Sequence, residues 1–97
     1  MVEKSRLGGG KVRVTFRIPS QGDGGAIHVC GDFNGWSTEA TPLLRAADGT
    51  WSCALTLKAG TTYRFRYRDE RGTWFDDPDA DGYEPNGYGG LNSLVKT

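Results

Sequence analysis

Strict apolar and polar alternation in several short segments, turn signals about every 8 to 12 residues, and the lack of any convincing helical period predict an all-β chain folded as an antiparallel sandwich. At 97 residues, 15 of them glycine, the chain is the size of one domain rich in tight turns. A chain this short buries only about two thirds of its extended surface, so an open binding face is expected rather than a deep enzymatic cleft.

The elements follow in order. Residues 1–10, ending in Gly8-Gly9-Gly10, read as a flexible leader ahead of a β-sandwich domain spanning 11–97. "KVRVTFRI" (11–18) alternates throughout, with Val12, Val14, Phe16 and Ile18 on one side. "AIHVC" gives a second strand, and "TPLLRAADGTWSCALTL" reads as two more joined through Asp48-Gly49, a dipeptide that favours a hairpin turn. In the second arm Trp51, Cys53, Leu55 and Leu57 share a face. "TTYRFRYR" sets Tyr63, Phe65 and Tyr67 against Arg64, Arg66 and Arg68; "TWF" returns, and "LNSLV" closes the sheet. Between them, Asp76 to Gly90 is expected as an ordered loop anchored by Tyr83 and Tyr88. Seven short strands so spaced indicate an immunoglobulin-like architecture, although the Cys-Trp-Cys spacing of antibody domains is missing.

With 12 basic and 12 acidic residues the chain has no global attraction for nucleic acid or anionic lipid, so a neutral partner is expected. "MVEKSRLGGGKV" lacks the apolar centre of a signal peptide, and no run approaches the ~18 apolar residues that span a bilayer; a cytoplasmic location is expected. Cys30 and Cys53 read as reduced core thiols. With His28 the sole histidine, the paired ligand spacing of a zinc site is missing, and no cofactor is expected. "DPDADG" (77–82) matches the first half of a calcium loop, but Tyr88 stands where that loop needs a bidentate Glu, so an acidic surface turn is the better reading. The acids crowd one loop, and no Ser-His-Asp or Cys-His set exists beyond His28, so no enzyme is expected.

Of the three tryptophans, Trp51 falls in phase with the core. Trp36 lies in the turn of "GDFNGWS". Trp74 follows the hairpin "RDERGTWF", where a three-residue loop pairs it with Arg68 on the arginine face and a two-residue loop turns it inward. An exposed indole matches the C–H face of a pyranose ring, while Arg and Asn can bond the hydroxyls at its rim. It equally suits a protein-interface anchor. The alternating arginines read as a solvated face offset by Asp69, Glu70, Asp76 and Asp77.

"GDFNGWS", "TPLLR", "DGTWSCALTLKAG", "YRFRYRDERGTWFDDP" and "LNSLV", in that order from about Lys11 to Lys96, resemble the glycogen-binding and isoamylase N-terminal early-set domains, carbohydrate-binding module family 48. The family includes the glycogen-binding domain of the AMP-activated protein kinase β subunit and N-terminal domains of glycogen branching and debranching enzymes. The resemblance implies non-catalytic binding of α-1,4-glucan (glycogen, starch or maltooligosaccharide), with a glycogen-metabolising enzyme as a further partner. It designates Trp36 and Trp74 as the aromatic platform and places Arg64 where the family has a sugar-bonding lysine. Asn92 matches the family asparagine, Tyr88 stands in place of a leucine that enters the curve of the glucan, and Gly90 replaces a threonine. The rival expectation is a protein-interaction or scaffold domain of early-set fold without sugar binding.

Overall fold

The computed structural model describes residues 2–19 and 25–97. Among these, nine strands form: β1 (Val2–Gly8), β2 (Lys11–Ile18), β3 (Ile27–Gly31), β4 (Leu44–Arg45), β5 (Trp51–Lys58), β6 (Thr62–Asp69), β7 (Trp74–Phe75), β8 (Gly82–Pro85) and β9 (Leu91–Lys96). They make two antiparallel sheets, β1-β2-β5-β4 and β3-β6-β9-β8, with β7 pairing on β6. The immunoglobulin-like sandwich expected from the alternation is the fold the chain adopts.

Period-2 patterning explains the core. Val12, Val14, Phe16 and Ile18 of β2 are buried and stand opposite Leu57, Leu55, Cys53 and Trp51 of β5, so both strands turn their apolar sets to the same side. From the other sheet β6 contributes Phe65 and Tyr67, and Phe16 meets Phe65 edge-on at 4.9 Å between centroids. Each fully buried side chain of this kind stabilises by about 2–3 kcal/mol. Cys30 is buried and Cys53 half-buried, and both are free thiols. Burial pushes both thiols up, Cys53 to about 11, which keeps that thiol protonated at neutral pH.

Two segments depart from the sequence expectation. The leader expected over residues 1–10 is instead largely strand β1, hairpinned to β2, with Met1 outside the described residues. Gly8, Gly9 and Gly10 all have positive φ and form the turn rather than a loose tether. No apolar alternation marks β1 because it is an edge strand: Lys4 and Arg6 sit opposite Val14 and Val12, and Val2 alone packs on the core. The stretch from Asp76 to Gly90 likewise contains a strand, β8. Tyr83 anchors it by donating its hydroxyl to the Asp77 carbonyl, whereas Tyr88, expected as a second anchor, is 93% exposed at the hairpin tip.

The acidic turn is tied inward. Asp77 is fully buried; its carboxylate accepts the Tyr67 hydroxyl at 2.6 Å and the Asp79 N–H at 2.8 Å, and its own N–H donates to Ser93 Oγ at 3.0 Å. This fixes the segment after β7 against β6 and β9. Burial, then the bond to Asp77, raises the Tyr67 pKa, so the hydroxyl remains a donor. Asp81 takes Lys4 Nζ at 2.6 Å and the Lys96 N–H at 2.7 Å, joining β1 of one sheet to β9 of the other.

Removing the phenol oxygen leaves a buried carboxylate short of a donor, so Tyr67→Phe is expected to lower stability by about 1–3 kcal/mol in urea titration. Burial pushes the Asp81 carboxyl up, but Lys4 and the Lys96 amide more than offset it, and it sits below its ordinary value. A depressed carboxylate stabilises above its unfolded pKa and loses that contribution as pH falls through the folded one. Below about pH 4, therefore, the protection of β1 amides relative to their intrinsic exchange rates should fall, and Asp81→Asn should abolish that acid-dependent component.

Candidate functional site

The outer face of β6 and the turns at its end carry the sequence-designated residues. β3 ends at Gly31, where a Cβ would lie 2.4 Å from the Arg64 carbonyl, so only glycine lets the strand run this close to β6. A 3₁₀ turn, Asp32–Asn34, follows. Its Phe33 ring points inward, 5.5 Å from Phe16 and 6.1 Å from Tyr63. Asn34 stitches the turn, accepting the Gly31 N–H at 3.1 Å and donating to Val29 O at 3.0 Å and Thr41 Oγ1 at 2.9 Å.

With Phe33 committed to the core, the chain must reverse to present Trp36 on the surface. Gly35 and Trp36 both turn left-handed, at φ 67 and 60, and Trp36 is the one non-glycine with positive φ among the described residues. For a residue with a Cβ this costs roughly 1 kcal/mol. Two bonds offset the strain: Trp36 N–H to Gly31 O at 2.9 Å, and indole Nε1–H to Asp32 Oδ1 at 3.1 Å.

Trp74 depends on a different local device. Glu70, Arg71 and Gly72 form a three-residue loop closed by Asp69 N–H to Thr73 O and Gly72 N–H to Asp69 O, each at 3.0 Å, with Gly72 left-handed at φ 84. That register pairs Arg68 with Trp74 and Tyr67 with Phe75. Trp74 therefore lies on the arginine face, 37% exposed, with the Arg68 guanidinium 5.8 Å from its ring centroid. Of the two loops the sequence allows, the three-residue one forms.

The arginines between the tryptophans are held by carboxylates. Arg64 Nε bonds Glu84 Oε1, and Asp32 Oδ2 lies 3.5 Å from its Nη1 while also accepting the Arg64 backbone N–H at 2.9 Å. The bond to Glu84, with the charges of Glu84 and Asp32, raises the Arg64 pKa. Arg66 Nε meets Asp76 Oδ1 at 3.1 Å, and Ser93 donates to the same oxygen at 3.1 Å.

Trp36, Arg64, Trp74, Tyr88 and Asn92 all line one open concavity of about 610 Å³, together with Arg66 and Asn86. The structure thus brings the five sequence-designated residues together. Arg66 is visible in the alternation of β6, which by itself assigns it only to the solvated face; Asn86, in the β8–β9 turn, carries no sequence signal. Among the described residues no group of three or more His, Cys, Asp or Glu could hold a metal, and no helix is long and apolar enough to cross a membrane.

A β-sandwich whose outer face gathers aromatic rings and fixed hydrogen-bond donors around a shallow groove is a ligand-binding module. The chain belongs to the family carbohydrate-binding module 48 (isoamylase N-terminal domain), whose model matches residues 7–84. It is also similar to the 1,4-alpha-glucan branching enzyme GlgB of Photobacterium profundum, at 33% identity over 72 residues, 72% of this chain and 10% of the enzyme. The chain therefore spans about a tenth of that relative's length.

Asp32 links the indole of Trp36 to β6, so Asp32→Ala should lower stability by about 1 kcal/mol. It should also speed solvent exchange of the Trp36 indole proton, measured by NMR; unchanged exchange would show that the ring is held by packing instead.

Proposed function

We propose that the chain binds α-1,4-glucan, as glycogen, starch or maltooligosaccharide, without acting on it chemically. The observation that carries this reading is the convergence of Trp36 and Trp74, 38 positions apart in sequence, on one groove with Tyr88, Arg64 and Asn92. Each indole offers an apolar plane to a glucose ring, and Arg64 and Asn92 donate to hydroxyls at the ring edge. Tyr88, projecting from the hairpin tip, packs against the curve of the sugar chain. The family and the name of its glucan-branching relative support the same substrate class, and they support a role in holding a glucan-acting enzyme on its polymer.

An electroneutral chain suits a neutral polymer, since no net field favours an anionic ligand. A few stacked rings on an open face give modest affinity, about −4 to −8 kcal/mol, the millimolar to micromolar range. Calorimetric titration with β-cyclodextrin should give saturable heat for the native chain and at least tenfold weaker binding for Trp36→Ala and Trp74→Ala. Absence of heat with the native chain, or equal heats in all three, would overturn the reading.

A further inference from the structure

The turn between β8 and β9 contains an amide whose chemistry is only half used inside the protein. Asn86 closes the tip through its backbone, donating N–H to Gly90 O at 3.0 Å. Its side-chain oxygen accepts two further backbone donors, Tyr88 N–H at 2.8 Å and Gly90 N–H at 3.2 Å. These donors fix which end of the amide is which: oxygen faces them, and Nδ2 is the end that lies beside the Gly90 Cα. Among the described residues no acceptor meets Nδ2, although Asn86 is half-buried and lines the groove beside Trp36, Trp74 and Tyr88.

Gly90 supplies a second observation. A Cβ there would lie 3.1 Å from Asn86 Nδ2, tighter than ordinary contact, yet Gly90 is not among the positive-φ glycines. Its backbone would accept a side chain, but the Cβ would press on the Asn86 amide, which would have to give by a few tenths of an ångström. From these features we infer that Asn86 is a ligand-binding residue, its Nδ2 donating to a hydroxyl oxygen of the glucose unit packed beside Tyr88, with Gly90 as the notch that seats the amide. The inference rests on the glucan-binding reading and deepens it. One side chain holds the tip that presents Tyr88 and bonds the sugar that Tyr88 touches.

The two roles separate by substitution. Asn86→Asp retains oxygens for the Tyr88 and Gly90 N–H groups and removes the donors, whereas Gly90→Ala leaves Asn86 intact and crowds its amide. Maltoheptaose is titrated calorimetrically into native chain, Asn86→Asp, Gly90→Ala and Trp74→Ala, and the Tyr88 amide resonance reports whether the tip is preserved. We expect each of the first two variants to bind about 5- to 10-fold more weakly with the Tyr88 resonance retained, the loss of one hydrogen bond. Binding within twofold of native by both, while Trp74→Ala loses it, would overturn the role of Asn86 and leave the glucan reading standing. No binding by the native chain would overturn both.

Discussion

The register of β6 is the constraint on which both core and groove depend. Its inward residues, Tyr63, Phe65 and Tyr67, join a continuous line of aromatic contacts with Phe33, Phe16 and Phe75, spaced 4.9 to 6.1 Å between centroids. Of its outward residues, Arg64 and Arg66 line the groove with the two tryptophans, and Arg68 lies over the Trp74 ring. Because successive side chains alternate, a slip of one residue would bury three guanidinium groups and expose three rings. Pairing with β3 on one edge and with β9 and β7 on the other makes such a slip incompatible with the rest of the sheet.

Electrostatics then compensates the arginine row along the groove. Arg64 is held by Glu84 and Asp32, Arg66 by Asp76, and Arg68 lies over the Trp74 ring. Partly exposed ion pairs of this kind contribute little to stability. Their effect is geometric: they orient the guanidinium groups, and on the glucan-binding reading this reduces the rotamer entropy a ligand must remove. A row of free cations would favour phosphate, whereas compensated guanidinium groups offer directed N–H bonds without a net field.

How much of this is legible in the sequence depends on where each residue sits relative to the core. β2, β5 and β6 are plain because half their residues are buried and the alternation records it. β1 and β8 are not, since edge strands with little buried surface carry charges and turn residues instead of a pattern. Trp74 is undecided until the Glu70–Gly72 loop fixes its register, because one residue more or less in a hairpin reverses a side chain. Trp36 is identified through the surrounding motif, not through periodicity. Asn86 is invisible for a different reason: its position follows from hydrogen bonds within a turn, and no spacing rule encodes them.

The turn carrying Trp36 shows how local order serves presentation. Phe33 and Trp36 are three residues apart, yet one ring must enter the core and the other must leave it. A helical continuation would place residues at that spacing on the same side. The left-handed pair Gly35-Trp36 breaks that continuation, and the Asp32 carboxylate captures the indole on the far side while its second oxygen holds the Arg64 N–H. The strain at Trp36 is thus sustained by packing of Phe33 against the core and by the bond to Asp32, whose second oxygen holds the strand beneath. On the glucan-binding reading, an aromatic ring held this way would lose little further freedom under a sugar, leaving more of the stacking energy for binding.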